Sequence, residues 1–343
     1  MPSIRLTIRT ALVALGAAGV LAAPAKADYF AGKTITLLVG AAPGGGYDAY
    51  ARTIARHLPD HLPGKPTIVV RNQPGAGSAV AAAALANTAP KDGTWIGGIF
   101  PGAIIGPVLD PKPNQTFDPS KLIYLGSADS GTRVCITGAK SNIKTFDQAR
   151  ETKTVMGASQ AGGSTRDYAY MLNNAAGAKF EVVSGYRGTS DIFLAIERGE
   201  VDGMCGLDWT SFKAQRPDWI AENKVNIIIQ TGLDAEPELE KWKTPTIWPY
   251  ITSETDKKAV ELILSQQVFG RPYAVPPGTP DEAVEILRTA FMAALKSEAL
   301  REDADKARLS IAPISGKAVG ELVAAMFSAP SEIVERARRI SLP

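Results

Sequence analysis

Along this chain, short runs of β-branched and apolar residues alternate with stretches whose apolar positions recur every three or four residues. Glycine-rich turns separate the two kinds of segment. That alternation predicts an α/β protein built on parallel sheets. Strands are expected over 35–39, 67–71 and 95–100, with helices over 49–58 and 78–89. A second series begins near Arg133, with strands at 134–137, 154–157, 180–184, 201–205 and 225–230. Its helices fall at 146–151, 166–175 and 190–198. The polar, proline-containing stretch 233–250 reads as surface. Val275-Pro276-Pro277-Gly278-Thr279-Pro280 then punctuates the chain before an amphipathic helix over 281–295, which Thr279 or Asp281 would cap. The rest reads as helix, without another strand series.

The N-terminus adds a compartment. Arg5 and Arg9 precede an apolar run over 11–23, and Ala25-Lys26-Ala27 forms a small-residue cleavage site before Asp28. This is the pattern of an export signal, too short to cross a bilayer, so a periplasmic protein cleaved after Ala27 is expected. Removing 27 of 343 residues leaves 316, large for one core, and two lobes are expected. The signal carries three of the 37 basic residues, and the remaining 34 face 35 acidic ones, a net charge near −1. With no basic block or aromatic-basic stripe, nucleic acid is not an expected partner. Cys135 and Cys205 would meet an oxidising compartment, either bonded or as two buried thiols.

The stretch 34–52, TITLLVGAAPGGGYDAYAR, carries the candidate chemistry. Three glycines after a strand let the backbone approach a ligand, and the helix that follows points its N–H groups and dipole at an anion. The loop 158–165, ASQAGGST, repeats this arrangement in the second series. Two such turns facing each other would clamp a carboxylate; the plainer reading is two tight strand-to-helix connections. A charge-assisted hydrogen bond is worth about 1.5–3 kcal/mol. Three or four of them approach the roughly 8 kcal/mol of a micromolar complex.

Other motifs carry less. Gly44-x-Gly46-x-x-Ala49 fits a dinucleotide fingerprint, but the second strand ends in Arg71-Asn72 instead of an acidic residue. Gly157-Ala158-Ser159-Gln160-Ala161 resembles a nucleophile elbow, yet both histidines, His57 and His61, lie upstream of the serine. That order does not suit a hydrolase of this fold. The two histidines, four residues apart, lack the companions of a metal site and read as solvated residues at a helix end.

PGGGYDAYAR, VVRNQPGAGSAVAAAALANTAPKDGT, GYRGTSDIFLAIERGEVDG and VPPGTP, in this order, resemble the Bug-type extracytoplasmic solute receptors. These are the binding subunits of tripartite tricarboxylate transporters. The resemblance runs from about Ile35 to the C-terminal helices. It implies an α/β protein of type II periplasmic binding architecture, two lobes joined by a two-strand hinge with a ligand cleft between them. The lobes would be 28–127 plus 270–343 and 128–269, with hinges near 126–130 and 268–271. It further implies a monomer without catalytic activity, metal or cofactor, which captures a small carboxylate-containing molecule and delivers it to membrane permease subunits. The same fold would also serve a sensor with a signalling partner.

Carried over by position, the ligand-binding residues would be Pro43, Gly44, Gly45, Gly46, Tyr47 and Asp48 in the first loop and Gly75 and Ala76 in the adjoining turn. In the second lobe they would be Ser159, Gly162, Gly163, Ser164, Thr165 and Asp208. Asp48 would either fix its own glycine turn or hold a water or a ligand amino group. Tyr47, Tyr186 and Trp209 are candidates to line the pocket or, equally, to pack within a lobe. Tyr186-Arg187-Gly188, preceded by Gly185, departs from the family pattern, as does the segment 204–212. The type II topology also implies that the strand containing Cys135 lies antiparallel beside the one containing Cys205, and so a disulfide.

Overall fold

The computed structural model describes residues 29–109, 111 and 116–343; the expected signal peptide and its cleavage site lie outside them. The first series runs β1 (Thr34–Val39), α1 (Gly46–His57), β2 (Thr67–Asn72), α2 (Ala79–Asn87), β3 (Trp95–Gly98), α3 (Pro101–Leu109) and β4 (Ile123–Ser127). The second opens with β5 (Arg133–Gly138), α4 (Phe146–Glu151), β6 (Thr154–Ala158), α5 (Ser164–Ala176), β7 (Phe180–Ser184) and α6 (Thr189–Arg198). It continues with β8 (Gly203–Asp208), α7 (Trp209–Gln215), α8 (Pro217–Ala221), β9 (Val225–Thr231) and α9 (Glu254–Leu264). The chain then returns through β10 (Pro272–Val275), α10 (Asp281–Lys296), α11 (Glu298–Lys306), β11 (Ile314–Ser315), α12 (Gly316–Phe327) and α13 (Ser331–Ser341).

Two sheets result, in the orders β11-β4-β10-β3-β1-β2 and β7-β6-β8-β5-β9. Setting β11 aside, the two share one plan. The first strand lies between the second and third, and a strand from across the crossover enters antiparallel before the fourth. In the first sheet β10 is that strand, antiparallel to β3 and β4. In the second it is β5, antiparallel to β8 and β9. Each sheet is covered on both faces, so its central strands are apolar on both sides. In β1, Ile35, Leu37, Leu38 and Val39 are all buried. The amphipathic helix α1 buries Tyr50 and Ile54 against it, with Leu58 just beyond, at four-residue spacing.

Three expectations change. The strand expected at 201–205 is Gly203–Asp208, because 199–202 turns and the Asp202 carboxylate accepts the Val155 N–H at 2.8 Å. The stretch 233–250 is not simply surface. Leu239 and Ile247 are fully buried, and the Gln230 side chain holds the Thr244 carbonyl at 2.8 Å, folding the segment back along β9. Strands β4, β10 and β11 and helices α3, α7, α8 and α9 have no counterpart among the elements expected from the sequence. Helix α13 leaves the first sheet: Ala337 and Ile340 enter the core of the second, and Arg336 pairs with Asp256 of α9.

Cys135 and Cys205, on the adjacent antiparallel strands β5 and β8, are joined by a disulfide inside this second core. Among the described residues no helix is long and apolar enough to cross a membrane.

Candidate ligand-binding site

Helices α1, α5 and α6 each begin behind a glycine, Gly45, Gly163 and Gly188, and no side chain caps any of the three. The first N–H groups of a helix have no partner within it. All three starts line one cavity of about 550 Å³ between the two sheets, at the carboxyl ends of the parallel strands. Donors so arranged can receive an anion or a polar oxygen.

The two glycine turns are braced alike. Gly44 and Gly162 both have φ near +80°, where a side chain would be strained. The Gly44 N–H donates to the Asp48 carboxylate at 2.9 Å, and the Gly162 N–H to that of Asp167 at 3.4 Å. Asp48 also accepts from Arg52 and from Asn72, both at 2.9 Å. Burial pushes the Asp48 carboxyl up, but these hydrogen bonds outweigh it and hold the group below its ordinary range. Burial raises Asp167 to about 6 despite its contact with Arg166.

Of the expected ligand residues, Pro43, Gly45, Gly46, Tyr47, Gly75, Ala76, Ser159, Gly162, Gly163, Ser164, Thr165 and Asp208 line the cavity. Gly44 and Asp48 are not in the lining. Gly44 lies within the turn with its N–H on the Asp48 carboxylate, and that carboxylate holds the turn's shape, the first of the two roles expected for it. Trp209 is not in the lining either. It is buried against Phe212 and Trp242 and donates to Glu238 at 2.7 Å, whereas Tyr47 and Tyr186 do face the cavity.

Asp208 lines the site without a free carboxylate. It caps α7 through the Ser211 N–H at 2.8 Å and accepts from Arg133 at 2.5 Å and Arg271 at 2.7 Å. Burial would raise its pKa, but Arg271 and Arg133 overcome that and bring it to about 2. Arg271 is itself buried, with its guanidinium over the rings of Tyr47 and Tyr50 at 4.3 and 4.9 Å. The lining therefore holds Arg133, Arg187 and Arg271 against Asp191 and Asp208, and Arg187 is paired with Asp191. Little net side-chain charge faces the cavity.

Sequence reasoning missed Arg133, Arg271 and Tyr168. A signal existed for the first, an arginine opening an otherwise apolar strand; nothing local marked the others as cavity residues.

The Ser159 hydroxyl lies 2.8 Å from that of Thr165, and His57, at the end of α1, lies 2.9 Å from Asp303 of α11. Among the described residues no cluster of His, Cys, Asp or Glu is placed to hold a metal ion.

No family model matches the chain. It is 28% identical over 286 residues to the UPF0065 protein of the tcbD-tcbE intergenic region of Pseudomonas sp. strain P51, a match covering 81% of this chain and 79% of that one. It is 42% identical to protein BugT of Bordetella pertussis over 69 residues, 20% of this chain and 21% of that one. The solved structure of the periplasmic binding protein BugD superposes with a TM-score of 0.69 at 20% identity, covering 90% of this chain and 97% of that one. The chain has the Bug-type periplasmic binding fold. MatC from Rhodopseudomonas palustris, solved with bound malate, agrees at a TM-score of 0.68 and 21% identity over 88% of this chain and 99% of its own. An R. palustris protein solved with adipate gives 0.68 at 18% identity, covering 89% and 97%.

Proposed function

We propose that the protein is a non-catalytic solute receptor. It captures a small carboxylate-containing molecule in the periplasm and delivers it to the membrane permease of a tripartite tricarboxylate-type transporter. One observation carries this reading: uncapped helix starts from both sheets, at Gly46 and Ser164, open onto the same cavity. A carboxylate between them would receive N–H groups from both lobes, and only with the lobes together. Differential affinity for the closed form then drives closure, the signal a permease reads. The lobes are taken as 28–127 plus 270–343 and 128–269, with α13 strapped from the first onto the second, and the unit acts as a monomer. Malate and adipate on solved proteins of the same fold support an acid as cargo.

A thermal-shift screen of small carboxylic acids, malate and adipate among them, tests the reading on protein lacking residues 1–27. At least one acid should raise the melting temperature in a concentration-dependent way. If no acid does so while a nucleotide does, the assignment is wrong.

A further inference from the structure

The two halves of the cleft also touch where neither has a side chain. Gly162, in the turn before α5, faces Gly77 of the loop after β2 and Gly102 in the first turn of α3. A Cβ placed on Gly102 would stand 2.2 Å from the Gly162 carbonyl oxygen. One on Gly77 would stand 2.8 Å from the Gly162 carbonyl carbon and 2.9 Å from its oxygen. Those neighbours are backbone, which cannot rotate away as a side chain does. The contact joins the first sheet's unit directly to the turn that would hold the carboxylate.

Resting on the receptor reading above, we infer that Gly77, Gly102 and Gly162 are positioning residues that set the spacing between the two carboxylate-binding turns. Closure stops where backbone meets backbone, and that stop brings the donors of α1 and α5 within reach of one carboxylate. A methyl group at position 102 must be given about 1 Å more room to reach ordinary contact distance. Opened by that much, a hydrogen bond of about 2.9 Å ceases to be one. The wedge would act on closure, from positions that also lie on the cavity wall.

Helix α3 supplies its own control. Gly106 lies one turn further along, and a Cβ there would meet nothing within 4 Å. Alanine is a better helix former than glycine at position 102, so Gly102→Ala should not weaken the open, unliganded protein. Gly106 precedes Pro107, whose ring crowds a Cβ there, so Gly106→Ala shows the cost of a methyl group on α3 away from the contact.

The experiment titrates malate and adipate into wild type, Gly102→Ala and Gly106→Ala by calorimetry, and measures each by small-angle scattering with and without acid. Wild type and Gly106→Ala should bind alike and compact on binding. Gly102→Ala should keep its unliganded melting temperature, lose affinity tenfold or more and fail to compact. Binding and compaction of Gly102→Ala at wild-type levels overturn the inference. A wild type that responds to neither acid is a separate failure: the carboxylate reading falls, and the inference with it.

Discussion

Asp129 shows how much of this molecule is decided by single buried groups. It lies between β4 and β5, buried, and the Tyr50 hydroxyl stands 2.9 Å from its carboxylate and 2.8 Å from the Ser310 carbonyl. One hydroxyl proton cannot serve both acceptors, whereas a protonated Asp129 supplies a second. Burial, then the charge of Asp208, pushes the Asp129 carboxyl up to about 7 against the pull of Arg271. Its folded pKa thus lies above its unfolded one, and the folded state holds a proton that the unfolded chain releases. The associated stability is present below about pH 4 and lost as pH rises through about 7. Replacing Asp129 with Asn should remove that loss. The melting temperature of Asp129→Asn minus that of wild type should increase by several degrees between pH 5 and pH 8. A difference that stays constant across this range contradicts the assignment. Asp208 is the opposite case, held low by Arg271 and Arg133, and its contribution is lost only in acid. Neither assignment was legible in the sequence, since Arg133, Asp208 and Arg271 come from three distant strand ends. The glycines of both turns were legible, because few other residues serve there.

Elements were readable in proportion to how local their signal is. Strands β1, β2, β6 and β7 show as β-branched or apolar runs, and α1, α5, α6 and α10 as amphipathic stretches. By contrast β10 has four residues and exists because β3 and β4 flank it. Helix α3 carries two glycines and Pro107, which read as loop until the cavity wall and α12 hold it. The disulfide belongs to this scale. It ties β5 to β8 over a sequence separation of 70 and closes most of the second sheet's unit into one loop. Chain entropy alone assigns such a loop about 4 kcal/mol. Changing both cysteines to serine should therefore lower stability to chemical denaturation by several kcal/mol, with the unfolding midpoint of the oxidised wild type as reference. Equal midpoints would mean that the bond adds nothing to the packing around it.

At the scale of the whole molecule, the two sheets repeat one strand order and aim their helix starts at a common space. The equivalent strand-to-helix turn in each sheet could be anticipated from the two glycine-rich segments in the sequence. The strap of α13 onto the second core could not, because its amphipathic pattern fits either lobe. The central claim is that donors from both lobes grip one carboxylate. Amide-resolved nuclear magnetic resonance on the isotope-labelled protein, titrated with whichever acid raises its melting temperature most, tests it directly. The account predicts that the amide signals of Gly46 and Tyr47 shift together with those of Ser164 and Thr165, along one saturation curve. Shifts confined to one of the two turns, or saturating at different acid concentrations, would contradict it.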